Sequence, residues 1–442
     1  MEEVSATLQR PGKIEIEPRV ALTDVPLTIR LTGFAPHQRV TVHAQTQDDD
    51  FGRTWESYAV FETDGCGCVD LAQQAPLVGS YEHIDPMGLI WSMELDPAAD
   101  EECYFRKRTL DPIQIDFVAE VDGAIAAEAQ AERLFLAPGE ARLVVQEQGL
   151  TGVLFVPPTP GPHPGVIVLG GGDGGILEHG AALLAARGYV ALALGYFGIK
   201  PLPPEPHGLP LEYFGRAINW LQARPEVGDK AIALIGTSLG GMFGLLAATT
   251  YPDVQALVCY VPLGMVTSVG PDNRPPVCHD GQALPFVPII LTPEEARRFE
   301  EQSRARKPVS IKPILLRMLE DGSVLERAEI PVERINGPVL LLTGADDQAI
   351  PSPAFADRIM ARLEQQGFAH PHYHVCYDGA GHAIGLPHCH GLPYVPTYGR
   401  APASGPVGAF GGSPQANARA NAESWQQVLQ FLAESLSRSP AA

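Results

Sequence analysis

Two hydrophobic rhythms divide the chain. From residue 13 to about 136, apolar positions tend to recur at every second residue, the period of a half-buried strand. "PLTIRLTGF" (26–34), "RVTVHAQT" (39–46) and "PIQIDFVAEVDG" (112–123) each place their apolar side chains on one face. The last ends in Asp-Gly, a hairpin turn signal. No long helical pattern interrupts them. This half predicts an all-β, immunoglobulin-like sandwich of about seven short strands. "APGEAR" (137–142) reads as a linker.

From about residue 143 the rhythm changes to continuous apolar runs alternating with helix-period segments. "HPGVIVLGGG", "YVALALGYFG", "AIALIG", "VQALVCYVP", "GPVLLLTGADD" and "HYHVCYDGAGH" read as successive strands. Between them lie "GAALLAARG", stopped by Gly188, and "LEYFGRAINWLQARPEV", with Phe214, Ile218 and Leu221 on one face. This alternation predicts a mostly parallel sheet covered on both sides. A terminal helix, "AESWQQVLQFLAESL", presents Trp425, Val428, Leu429 and Leu432 at helical spacing. "YGRAPASGPVGAFGGSP" (398–414) reads as a long Gly/Pro-rich loop. The expected division is a β-domain over 1–140 and an α/β domain over 141–442, without internal repeats.

Composition narrows the classes. At 442 residues the chain is long enough for two or three domains. Its net charge of −21 argues against a nucleic-acid partner. No run reaches the ~18 apolar residues of a membrane span. The opening "MEEVSATLQRPG" lacks a signal-peptide pattern, so a cytoplasmic setting is expected. Seven scattered cysteines do not form a disulfide framework, and Cys66 and Cys68 lack the second pair of a zinc ribbon.

The chemistry centres on "KAIALIGTSLGGMFGLLAA" (230–248). Gly236-Thr237-Ser238-Leu239-Gly240 fits G-x-S-x-G between an apolar strand and an apolar helix, the setting of a nucleophile elbow. The bland alternative is a serine that caps the helix. A serine needs a base, and the base needs a carboxylate, in the order Ser…Asp/Glu…His. Asp347, three residues past Gly344, is the expected carboxylate, with Asp346 as its alternative. His382 in "CYDGAGHAIGLP" is the expected base. The backbone amides of Leu239, Gly171 and Gly172 are the expected oxyanion donors. Gly170, Gly172 and Gly175 also satisfy GxGxxG, but the Ser/Asp/His set already accounts for this sheet, so no dinucleotide is expected. His388, His390 and "CHD" (278–280) lack further ligands at recognised spacing, so neither metal nor cofactor is expected.

With these residues in view, the chain resembles the family that joins acyl-CoA thioesterases with bile acid-CoA:amino acid N-acyltransferase. The resemblance rests on "PMGLIWSMELD", "LEYFGRAINWL", "GTSLGG", "IPVERINGPVLLLTGADD", "GAGHAIGLPH" and "GGSPQANARANAESW". It implies a β-sandwich followed by an α/β-hydrolase domain, a triad of Ser238, Asp347 and His382, and an acyl-CoA substrate. Serine at the nucleophile position implies hydrolysis, where cysteine would accompany transfer to an amino acid. The alternatives are an acyltransferase or carboxylesterase for a specialised acyl compound, and a binding protein on a hydrolase scaffold. Three departures stand out. Leu239 replaces the family's common lysine, Asp173 interrupts the glycine loop and is expected to point away from the oxyanion, and "HCHGLPYVPTYGRAPASGPVGAFGG" is an unusual tail loop.

Overall fold

The computed structural model describes residues 12–49, 52–95, 105–269, 272–305, 307–385, 398–400 and 407–436. The chain divides into two compact units, the first running to Phe135 and the second beginning at Leu136.

The first unit carries two sheets. One joins Lys13–Glu17, Thr28–Thr32 and Val69–Asp70. The other is built around Arg39–Gln47, Thr54–Glu62, Ile113–Val121 and Ala124–Leu134. Alternate residues along Arg39–Gln47 and Thr54–Glu62 are buried, as the period of two requires. Asp122 and Gly123 take φ of 50° and 79° and join Val121 to Ala124, the left-handed pair of a tight hairpin. More strands form than the sequence predicts. The extra ones, such as Val78–Gly79 and Glu94–Leu95, are too short to express a period.

The second unit is an α/β unit around an eight-stranded sheet. Its strands are β1 (Ala141–Val145), β2 (Thr151–Val156), β3 (His163–Leu169), β4 (Val190–Gly195), β5 (Val227–Thr237), β6 (Val254–Tyr260), β7 (Val339–Gly344) and β8 (His372–Tyr377). Their spatial order is β1-β2-β4-β3-β5-β6-β7-β8. β1 pairs antiparallel with β2, and β2 with β4; every later pairing is parallel. All six residues of β4 and of β7 are buried, which explains their unbroken apolar runs. The helices are α1 (Glu178–Ala186), α2 (Glu212–Gln222), α3 (Leu239–Thr250), α4 (Pro293–Arg304), α5 (Lys312–Glu320), α6 (Gly322–Ala328), α7 (Ser352–Gln365) and α8 (Pro414–Leu436). α3 packs on β5 and β6, and α8 on β5, β6 and β7. Among the described residues no helix is long and apolar enough to cross a membrane.

Three expectations need correction. Ala141 and Arg142, read as linker, already pair with Val156 and Phe155 in the sheet. Within the stretch read as a Gly/Pro-rich loop, Tyr398–Arg400 and Val407–Ala409 form an antiparallel ladder; residues 401–406 lie outside the described residues. The terminal helix starts at Pro414, about three turns before its apolar stripe begins at Trp425, and Leu429 is only half-buried. The early turns were illegible because their buried face is built from polar Asn417 and Asn421 beside two small alanines, Ala418 and Ala420, with no large apolar residue to mark it.

Candidate active site

Parallel strands deliver their C-terminal ends to one edge of the sheet, where chain reversals collect functional groups. Ser238 follows β5 at that edge. Its backbone sits at φ 55°, ψ −116°, a conformation L-residues rarely adopt. Its amide donates to Tyr260 O (2.9 Å). Glycine is required two residues on either side because the backbones nearly touch. A Cβ on Gly236 would lie 2.5 Å from the carbonyl carbon of Gly240, and one on Gly240 would lie 2.5 Å from Leu169 O.

Ser238 makes no side-chain capping bond to α3, which removes the reading of it as a cap. Its Oγ lies instead 3.0 Å from His382 Nε2. His382 follows β8, and its backbone N–H donates to Phe410 O (2.7 Å). Its Nδ1 lies 2.9 Å from Asp347 Oδ2. An ionised carboxylate only accepts, so this contact holds the proton on Nδ1 and leaves the Nε2 lone pair facing the serine.

Asp347 is fully buried, and a buried carboxylate must be well hydrogen-bonded. The amides of Ala349 and Ile350 donate to Oδ1 (3.0 Å each), and Ser352 Oγ donates to Oδ2 (2.6 Å). Asp346, the alternative, is exposed. It accepts from Gln348 Nε2 (2.6 Å) and the Gly412 amide (2.9 Å), remote in role from the imidazole.

The other expected positions line the same turn. Among the described residues the amides of Gly171, Gly172 and Leu239 make no hydrogen bond; the first bonds into α3 are donated by Gly241 and Met242 to Ser238 O. A Cβ on Gly171 would lie 3.5 Å from Ser238 Cβ, so this loop borders the serine. Asp173 is exposed on the same loop. Leu239 is buried, so the residue in the family's lysine position contributes to the core.

Two supporting residues escaped the sequence reading. Ser352 begins α7 and braces Asp347; a serine five residues after an aspartate carries no distinctive signal. Tyr196 donates to Gly170 O (2.5 Å) from a buried position packed on Phe243 and Phe214. Burial raises the Tyr196 phenol well above its ordinary pKa, so it remains a donor.

The "CHD" stretch has more company than its spacing implied. His279 and Asp280 bring ligand atoms within 4.8 Å of Glu212, and Glu205, His207 and Asp272 form a second such group. Both groups include exposed members, and Glu212 already accepts from the Asp280 amide (2.5 Å). His388 and His390 lie outside the described residues. The described cysteines, Cys66 and Cys68 among them, are free thiols.

Comparison with known proteins follows the same two-part layout. Residues 24–147 match the family described as acyl-CoA thioester hydrolase/BAAT N-terminal region. Residues 209–438 match BAAT / acyl-CoA thioester hydrolase C terminal. Acyl-coenzyme A thioesterase 1 of Rattus norvegicus is 35% identical, over 93% of this chain and 94% of that one. Acyl-coenzyme A thioesterase 2, mitochondrial, of Homo sapiens is 32% identical, over 92% and 81%. Acyl-coenzyme A amino acid N-acyltransferase 1 of Mus musculus is 30% identical, over 97% and 98%.

Proposed function

The chain belongs to the BAAT / acyl-CoA thioester hydrolase family, and from that premise we propose that it is a serine hydrolase cleaving acyl-CoA thioesters to a carboxylic acid and free CoA. The observation that carries the catalytic part is the continuous relay from Ser238 Oγ through His382 to Asp347, at 3.0 and 2.9 Å. Ser238 Oγ attacks the thioester carbonyl as His382 Nε2 takes its proton. The amides of Leu239 and of Gly171 or Gly172 stabilise the oxyanion. Collapse expels the CoA sulfur, which leaves with the proton from His382, and Ser238 retains the acyl group. Water, deprotonated by His382, then releases the acid. Asp347 keeps the imidazole in the required tautomer throughout. Every step uses groups of this chain.

Serine as nucleophile favours water as acceptor. An oxyester acyl-enzyme is less reactive toward amines than a thioester. Acyl transfer to an amino acid is the second reading, favoured by the similarity to the N-acyltransferase. We take residues 1–140 as an immunoglobulin-like sandwich and residues 141–442 as the catalytic domain; two separate sheets in the first unit support the former. Free thiols at the described cysteines fit a reducing compartment, and we assign the cytoplasm.

A panel of acyl-CoAs of graded chain length, beside simple esters, with and without glycine or taurine, tests the reading. Equal release of CoA and free acid is the expected result, unchanged by the amine. Predominant N-acyl product would transfer the assignment to the second reading, and inert acyl-CoAs with cleaved esters would remove CoA as the carrier.

A further inference from the structure

His382 lies beyond the end of β8, where its loop is tied on one side by the Ala380–Gly412 bridge and by the His382 N–H to Phe410 O. Two side chains of α8 hold it from the other element packed against it. Asn417 and Asn421 stand one helical turn apart on the face turned inward, exposed by 0% and 1%. Asn417 Oδ1 accepts from the Gly381 amide (2.7 Å), and its Nδ2 donates to Gly411 O (3.3 Å). Asn421 Oδ1 accepts from the Gly385 amide (2.9 Å), and its Nδ2 donates to Ala383 O (3.1 Å). The second hydrogen on Asn421 Nδ2 reaches Asn417 O (2.9 Å), so both of its N–H donors are used.

These bonds bracket His382 on both sides. Gly381 precedes it, and Ala383 and Gly385 follow it. Gly411 adjoins Phe410, whose carbonyl takes the His382 amide. The loop is also pressed against that turn, since a Cβ on Gly381 would lie 2.5 Å from Phe410 O. Buried amides and carbonyls of an irregular loop must find partners. Only a side chain carrying both a donor and an acceptor serves an N–H and a C=O together, which explains asparagine where a helix facing a sheet ordinarily places leucine or alanine. The motif "QANARAN" thereby acquires a role that periodicity did not give it.

We infer that Asn417 and Asn421 are positioning residues for catalysis, a clamp that holds the His382 loop so that Nε2 meets Ser238 Oγ. The inference rests on the reading of His382 as the general base. The test compares Asn417→Ala and Asn421→Ala with Val428→Ala, which trims a buried residue about two turns further along the same helix whose apolar side chain makes no hydrogen bond to this loop. Each is assayed for kcat and KM on an acyl-CoA, for the rate at which a fluorophosphonate labels Ser238, and for Tm. A misplacement near an ångström costs about 100-fold. Each asparagine variant should therefore lose about 10- to 100-fold in kcat and in labelling rate, with KM within about threefold. Val428→Ala should lose Tm but hold kcat.

Folded asparagine variants with kcat and labelling near wild type overturn the clamp, as does an equal loss in Val428→Ala at matched Tm. Should the asparagine variants not fold, amide exchange in the wild-type protein decides. Gly381 and Gly385 should exchange among the slowest amides of the unit, and fast exchange overturns the clamp. A wild-type protein whose Ser238 resists labelling, with His382→Ala turning over normally, instead removes the triad reading and the clamp's catalytic purpose with it. Normal wild-type labelling beside unaffected asparagine variants removes the clamp alone.

Discussion

Gly240→Ala isolates the approach of α3 to β3 that creates the elbow. The added Cβ would lie 2.5 Å from Leu169 O and nearer still to Gly170 O, against a floor of 3.0 Å for real Cβ contacts. Both obstacles are backbone carbonyls, and Gly170 O is further held by Tyr196. The gap between α3 and the glycine loop at Gly170 must widen by half an ångström or more. Overpacking of this kind costs about 1–3 kcal/mol, which in a unit this size lowers Tm by roughly 2–10 °C. The same widening separates the Leu239 amide from that of Gly171, so kcat should fall about 10- to 100-fold with KM little changed. Gly244→Ala on the same helix is the control, because its Cβ would meet only a terminal methyl of Leu257 at 3.4 Å. Acyl-CoA hydrolysis followed by thiol release, beside thermal unfolding, reads both effects. Wild-type kcat and Tm in Gly240→Ala would refute the argument, as would equal damage from Gly244→Ala.

Further tests separate neighbouring groups. Asp347→Asn should lower kcat by about 10³–10⁴-fold, because the amide can donate to Nδ1 and favour the wrong tautomer, whereas Asp346→Asn should stay within about twofold, as expected for an exposed site without a catalytic contact; steady-state kinetics of the two variants decide between them. Burial pushes the Glu140 carboxyl up to about 7, with Oε1 lacking a partner and Oε2 accepting from the Ala137 amide. The folded state therefore holds that proton more tightly than the unfolded chain. The resulting stability is complete below the ordinary value of 4.5 and is lost as pH rises through about 7. Glu140→Gln should raise Tm relative to wild type at pH 8 more than at pH 5, and an equal difference at both would contradict the assignment.

Much of this was legible because the informative features are local or ordered along the chain. The unbroken runs of β4 and β7 mark strands buried on both faces. The glycines around Ser238 mark a backbone approach that no side chain permits. Asp347 and His382 follow strands, so parallel topology carries them to the serine's edge. Other features depend on partners distant in sequence. Asn417 and Asn421 look like solvated helix positions until the His382 loop is laid against them. Ser352 is unremarkable until Asp347 is seen to be buried. Helix α4 has no buried residue, so it lacks the apolar stripe that reveals a helix. Its readable signs were the Thr292–Glu295 capping box and Pro293 at its start.

A serine-hydrolase mechanism requires Ser238 to carry the acyl group between CoA and water. Rapid quenching of the enzyme during turnover of an acyl-CoA, followed by peptide mass analysis, tests it most directly. The acyl mass should appear on the peptide containing Ser238. It should be absent from Ser238→Ala, whose turnover should fall by at least about 1000-fold. Sustained hydrolysis with no adduct on that peptide, together with an active Ser238→Ala, would contradict the claim.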